Sequence, residues 1–355
     1  MSTRTSPSEL KFNLAPQRRF EAIDVRARIA QTSDLLRRHQ RTLFCSMHTT
    51  AGYLDRSLAL RMNNSYDLLS RFFHAFRALF PEGAEYSHDQ IDRRTELSEE
   101  QKIVEPRNGD SHLTFIGAGM KNCVTHRTES NTPVYFIDLD GATGVFRRER
   151  KTTIIGFDRE RTVSEMSVRV PVSKHPIDSI NLADPKLGLL QTVDERLKKT
   201  GVEFARVDLM IDSVERHAGL TVNEYETLLI QHDLVEVLQN PLRFATIKGR
   251  HMIADPLSIP AKTLSYAQYD AVRMLNSLME ALQIDQSSFE RLIAKLLSVP
   301  ARCFFRSRRV SFLASCDTGS SPRLVRGTYQ SPILVQWQSA ERQTRNIDIN
   351  IVELS

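Results

Sequence analysis

The sequence predicts an α+β protein built from two tandem copies of one small domain, residues 1–158 and 159–355. Three observations predict it. The chain has 355 residues, 41% of them apolar, and a domain usually takes about 100–200 residues, so two cores are the natural expectation. Strand and helix candidates recur in the same order in both halves, the signature of an internal repeat. Short landmarks recur with them, a Ser-Glu at the first strand and an Ala-Gly after the central one.

The elements follow in order. Ser8 to Leu14 alternates polar and apolar residues, and so does Ser164 to Val170; a period of two is strand periodicity. Second strands are expected over Arg19 to Val25 and Ile177 to Leu182. Helices are expected over Ile29 to Arg38 and Leu187 to Lys199, then apolar strands over Arg41 to Met47 and Ala205 to Ile211. Ala51-Gly52 and Ala218-Gly219 then read as strand ends, with the glycines serving tight turns. Each leads into a long helix, marked by Asp67-Leu68-Leu69 and Asp233-Leu234-Val235. Each half closes on two strands: Pro133 to Ile137 with Lys151 to Gly156, and Pro332 to Val335 with Asn346 to Val352. The boundary falls near the charged stretch Phe157 to Arg161. The second copy is longer, and Tyr266 to Leu282 has the apolar spacing of an amphipathic helix.

Bulk properties exclude several classes. Net charge is +5 and 26% of residues are charged, close to the globular average of about 25%. The basic runs Arg147 to Lys151 and Arg306 to Arg309 are short and interrupted, so they read as solvated strand ends rather than polybasic nucleic-acid or membrane sites. The four cysteines form no C-x-x-C pair, so no disulfide framework is expected; Cys45, in an apolar run, reads as a buried small hydrophobe. The first residues lack the apolar core of a signal peptide, and no stretch nears about 18 apolar residues. A cytoplasmic protein without membrane or nucleic-acid partners is expected.

Candidate chemistry gathers in the first copy. His48 ends a strand, His88 follows the Pro81-Glu82-Gly83 helix stop, and His112 lies in Asn108 to His112, where Ser111 suits a helix cap. Asp138 and Asp140 end another strand. Three histidines with carboxylates suit zinc or another divalent metal, since neutral imidazole is the commonest ligand for such ions. Asp89 is placed to orient a ligand, and Asp138 or Asp140 to serve as base or further ligand. Arg147 and Arg148 are candidates for holding the phosphate of a substrate or cofactor by bidentate hydrogen bonds. The competing reading is of scattered structural histidines and a solvated basic strand.

In their order, these residues resemble the YjbQ family, whose members are described as secondary thiamine-phosphate synthases. His48-Thr49-Thr50-Ala51 is similar to its His-Thr-Ser/Thr-Ala signature, and Tyr86-Ser87-His88-Asp89 to its Tyr-x-His-Asp. Ser111-His112-Leu113 with Gly117 or Gly119 is similar to its Ser-His segment. Asp138-Leu139-Asp140-Gly141 with Arg147-Arg148 is similar to its terminal Glu-φ-Asp-Gly-x-Arg stretch. The resemblance implies an α+β fold with a curved mixed sheet packed by helices, homo-oligomers, and a polar site near His48, His88 and His112.

The copies depart from the family in complementary ways. The first has Asp55-Arg56-Ser57 in place of an Asn-Glu-Asn segment, and Glu129 to Thr132 in place of Gly-Thr-Trp-Gln. The second places Glu215 opposite His48 and has no Tyr-x-His-Asp, but it carries Asn223-Glu224 and Gly327-Thr328-Tyr329-Gln330. Neither copy is complete, and one composite site shared by the halves is a natural expectation. Two function classes follow. One is a metal-dependent enzyme, for which the resemblance implies a transferase, acting on a small, phosphorylated or thiamine-related substrate. The other is a non-catalytic ligand-binding or scaffold protein that kept the fold.

Overall fold

The computed structural model describes residues 6–83, 86–94, 97–143, 146–174, 178–225, 307–316 and 321–355. In the first half run β1 (Ser8–Leu14), β2 (Glu21–Asp24), α1 (Val25–Thr32), α2 (Leu35–Arg38), β3 (Arg41–Ser46), β4 (Ala51–Tyr53), α3 (Arg56–Arg61) and α4 (Tyr66–Leu79). Two 3-10 turns (Ser87–Asp89 and Ile91–Arg93), α5 (Glu99–Val104) and α6 (Gly109–Gly117) follow. Then come β5 (Cys123–Arg127), β6 (Tyr135–Asp138), β7 (Ala142–Thr143), β8 (Phe146–Arg147) and β9 (Arg150–Phe157). The second half contributes β10 (Glu160–Pro171), β11 (Asp178–Asn181), α7 (Leu189–Thr200), β12 (Phe204–Ile211), β13 (Ala218–Asn223), β14 (Arg309–Ser315), β15 (Arg323–Val325), β16 (Ser331–Gln336) and β17 (Thr344–Leu354).

One topology occurs twice. The first half has a sheet ordered β1-β9-β3-β5 and a smaller one ordered β2-β6-β4. The second has β10-β17-β12-β14, extended by β15, and a smaller sheet ordered β11-β16-β13. Replacing each strand by its counterpart converts one order into the other. Every pairing among the described strands is antiparallel, where the resemblance implies a mixed sheet. The fold is α+β, and its helices pack on sheets. No helix among the described residues is long and apolar enough to cross a membrane.

Alternation decides which face each side chain serves. In β3, Phe44 joins Leu14, Ile29, Tyr53, Phe136 and Ile154 in the first half's own core. Its neighbours Leu43 and Cys45 face the other way. With Cys123, Ile155 and Phe157 they meet Phe204, Leu313 and Leu354 of the second half. A separate cluster (Phe73, Phe115, Ile137 and Leu139 among others) joins α4 and α6 to the small sheet and so fixes the platform that bears His112.

Several local expectations are corrected. The single helix expected over Ile29 to Arg38 is two short ones, broken at Ser33-Asp34; it also begins earlier, where Asp24 accepts the Ala27 N–H as an N-cap at 3.2 Å. Ala51-Gly52 and Ala218-Gly219 open strands β4 and β13 rather than ending β3 and β12. Gly52 is there for close approach, since a Cβ would lie 2.6 Å from the Lys121 carbonyl oxygen and 2.9 Å from the Phe115 ring. Ser111 does not cap; it lies within α6 and donates to the Leu139 carbonyl at 2.9 Å. The expected helices around Asp233 and over Tyr266 to Leu282 lie outside the described residues.

The second half clamps the first through its Gly-Thr-Tyr-Gln segment. Gln330 Nε2 donates to the carbonyls of Ser46 (3.0 Å) and His48 (2.9 Å). Gly327 N–H in turn donates to Gln330 Oε1, 3.1 Å away, which fixes the amide's orientation. A Cβ on Gly327 would overlap the Met47 carbonyl oxygen. Asn122 Nδ2 donates to the Ser311 carbonyl at 2.6 Å, and Arg206 donates to Glu160 at 2.7 Å and to Thr125 at 3.1 Å.

Candidate metal centre

His88 sits in the turn after α4, His112 in α6, and Glu224 one residue beyond β13. A donor atom from each lies within 4.8 Å of the other two, and all three residues are buried. The imidazole rings have centroids 4.7 Å apart, and His112 Nε2 lies 3.4 Å from Glu224 Oε2. Two of these residues come from the first half and one from the second.

Hydrogen bonds behind the cluster decide where the protons sit. Asn223 Nδ2 donates to the Thr49 carbonyl at 3.1 Å, which turns its Oδ1 toward His112 Nδ1 at 2.7 Å. Nδ1 therefore carries a His112 proton, and Nε2 faces Glu224. Asn108 repeats the device: its Nδ2 donates to Asp140 Oδ2 at 2.8 Å, leaving Oδ1 to accept from His88 Nε2 at 3.0 Å. Nδ1 of His88 then holds the lone pair. Ligating histidines usually have such an acceptor on the far nitrogen, which fixes tautomer and ring orientation. Glu224 is held in the same way, as Arg94, wholly buried, donates to its Oε1 at 3.0 Å and to Glu105 at 2.9 Å.

The electrostatics favour a neutral ring at His88. Burial, with help from His112 and Arg94, holds His88 well below the usual histidine range. Burial, then the nearby Glu224, raises the Glu105 carboxyl. The donor set also fits a metal. Two neutral histidines and one carboxylate are a catalytic zinc set, and a tetrahedral ion with bonds of about 2.0–2.2 Å spaces its donors about 3.3–3.6 Å apart.

The other sequence-predicted residues lie outside this cluster. His48 is not in the cluster: its Nε2 accepts the Lys151 N–H at 3.0 Å, so that atom has no lone pair left for a metal. Of the three expected histidines, the structure thus brings together His88 and His112, with Glu224 beside them. Asp89 accepts the Gly109 N–H at 2.9 Å at the start of α6, where Asn108, the N-cap, makes no capping bond because its side chain serves His88. Asp138 takes Arg150 in a two-pronged pair at 2.7 and 2.9 Å. Asp140 receives Asn108 and, at 3.1 Å, Arg148. Arg147 turns outward to Gln17 Oε1 at 2.6 Å. Sequence reasoning did not place Arg94; a lone arginine in a polar loop carries no signal of burial. Asn223-Glu224 was visible only as the Asn-Glu that the first copy lacks.

No protein-family model matches the chain, and no curated protein matches it. Solved structures do. The chain is similar to a YbjQ-like protein of unknown function from Sulfolobus solfataricus at 16% identity and TM-score 0.28, over 55% of this chain and 99% of that one. It is also similar to an uncharacterized YjbQ/UPF0047-family protein from Clostridium acetobutylicum, at 14% identity and TM-score 0.28, over 41% of this chain and 97% of that one. A hypothetical protein from Aeropyrum pernix matches at 14% identity and TM-score 0.29, over 43% of this chain and 99% of that one.

Proposed function

We propose that the chain is a metal-dependent enzyme acting on a small molecule, with a divalent ion, zinc by its donor set, held by His88, His112 and Glu224. One observation carries the reading: Asn108 and Asn223, each oriented by a further acceptor, give each imidazole an acceptor on the nitrogen outside the cluster. Bound there, a zinc ion supplies a Lewis acid and an open position for water or a substrate oxygen. The protein's own contribution is orientation. Arg94 aims the glutamate, and the asparagines hold the rings. Asp138 and Asp140 are engaged with arginines, so they position the surrounding loop rather than transfer protons.

A second reading rests on the 3.4 Å approach of His112 to Glu224. With His112 protonated, this is a structural ion pair, in a ligand-binding or scaffold protein without turnover. Titrating zinc into chelator-treated full-length protein separates the two. Stoichiometric binding, lost in His88→Ala and Glu224→Gln with an unchanged circular dichroism spectrum, supports the metal reading. Absence of binding supports the ion pair.

A further inference from the structure

Beside the metal centre, and resting on that reading for its catalytic meaning, the geometry points to a separate oxyanion subsite formed by His48, Arg148 and Lys151. This subsite would take the phosphate or carboxylate group of the small substrate.

The placement follows from strand register. Ser46, the last residue of β3, pairs with Thr152 of β9. Continuing past it brings His48 alongside the start of β9, where the Lys151 N–H donates to His48 Nε2. A backbone N–H is always a donor, so Nε2 holds a lone pair and the neutral ring carries its proton on Nδ1. No acceptor among the described residues takes that proton. The His48 backbone is also pinned. Its N–H reaches Ser46 Oγ at 3.3 Å and its carbonyl receives Gln330. His48 is therefore a fixed neutral N–H donor, the opposite of a cation ligand.

The surrounding charge selects the partner. Arg148, Arg150 and Lys151 stand close enough that, after burial, they help hold His48 far down, at about 3. Their carboxylate counterparts are Asp138, taken by Arg150, and Asp140, taken by one edge of Arg148. Lys151 has no acidic partner among the described residues, so the group keeps excess positive charge. The Arg148 side chain, 37% exposed, can turn its remaining N–H groups to a ligand, and a guanidinium matches phosphate and carboxylate oxygens two at a time.

Two relays place this group next to the metal centre. Arg148 meets Asp140, which holds Asn108 and through it His88. Thr49, the next residue after His48, receives Asn223 on its carbonyl, and Asn223 holds His112. An anion seated at His48 would thus sit two hydrogen-bonded relays away from the cluster.

The test uses metal-free full-length protein titrated with inorganic phosphate and, separately, with acetate, following the ring nitrogens of His48 by NMR. Phosphate alone shifting Nδ1 assigns a phosphate group, and acetate acting equally well assigns a carboxylate. No shift with either overturns the subsite. His48→Ala and Arg148→Gln should each weaken anion binding tenfold or more while leaving zinc affinity within twofold, and unweakened binding in both also overturns it. Loss of zinc binding with anion binding intact would sink only the metal reading.

Discussion

His112 Nδ1 lies 2.7 Å from Asn223 Oδ1, although the two residues are 111 positions apart and belong to different halves of the chain. The amide has no freedom to flip, because its nitrogen is committed to the Thr49 carbonyl. Loss of such an outer partner typically costs 10–100-fold in metal affinity. Asn223→Ala should therefore weaken zinc binding by about that factor, measured by competition with a chromogenic chelator. Unchanged affinity would show that the His112 ring is held by packing alone.

Asp138 is fully buried and neutralises the nearly buried Arg150 through two hydrogen bonds. Removing one partner of a buried pair leaves the other charge uncompensated, at a cost of about 3–5 kcal/mol. Asp138→Asn should lower the urea midpoint by that much in free energy. If Asp138 serves instead as a proton-transfer group, activity would fall and the midpoint would stay.

Gly327 approaches the Met47 carbonyl so closely that a methyl group has no room, and the obstacle is backbone. Overpacking of this kind typically costs about 1–3 kcal/mol. Gly327→Ala should lose that much stability and loosen the Gln330 clamp, seen as faster amide exchange at Lys151 and Thr152. A neutral substitution would mean that the two halves dock without this segment.

Acid should destabilise the fold through its buried imidazoles. His48 titrates at about 3 when folded and His126 at about 4, lowered mainly by burial, against about 6.5 for an unfolded chain. Between those values the unfolded state binds more protons, so their contribution is complete above about pH 6.5 and is lost as pH falls toward the folded values. Burial raises the carboxyls of Asp110, Asp138 and Glu105, which acts in the opposite sense. The readout is therefore a difference. His48→Gln should flatten the fall in urea midpoint between pH 7 and pH 4.5, and an unaltered slope would contradict a neutral His48.

The sheets were legible because strands write a period of two into sequence, and β1, β10 and β17 carry it plainly. Their shared order made the repeat readable as well. His88 and His112 stood out as polar residues flanking elements, but so did His48, and the local signal is the same for a ring in the buried cluster and for one that accepts a backbone N–H. What separates them is the Lys151 N–H, 103 positions from His48, and no local pattern encodes such a meeting. Asp138 and Asp140 read as catalytic for the same reason, since arginine partners decide their role.

The repeated strand order has an evolutionary consequence. In an assembly of identical subunits, every substitution appears in every copy at once. Fusing two copies in one chain removes that bond. The first half carries His88 and His112 while the second half supplies Asn223, Glu224 and Gln330, so neither half has to carry the other's residues. The second half carries no matching burden and can diverge as a dedicated support, so selection acts on an ordered pair of unlike modules rather than on one module used twice.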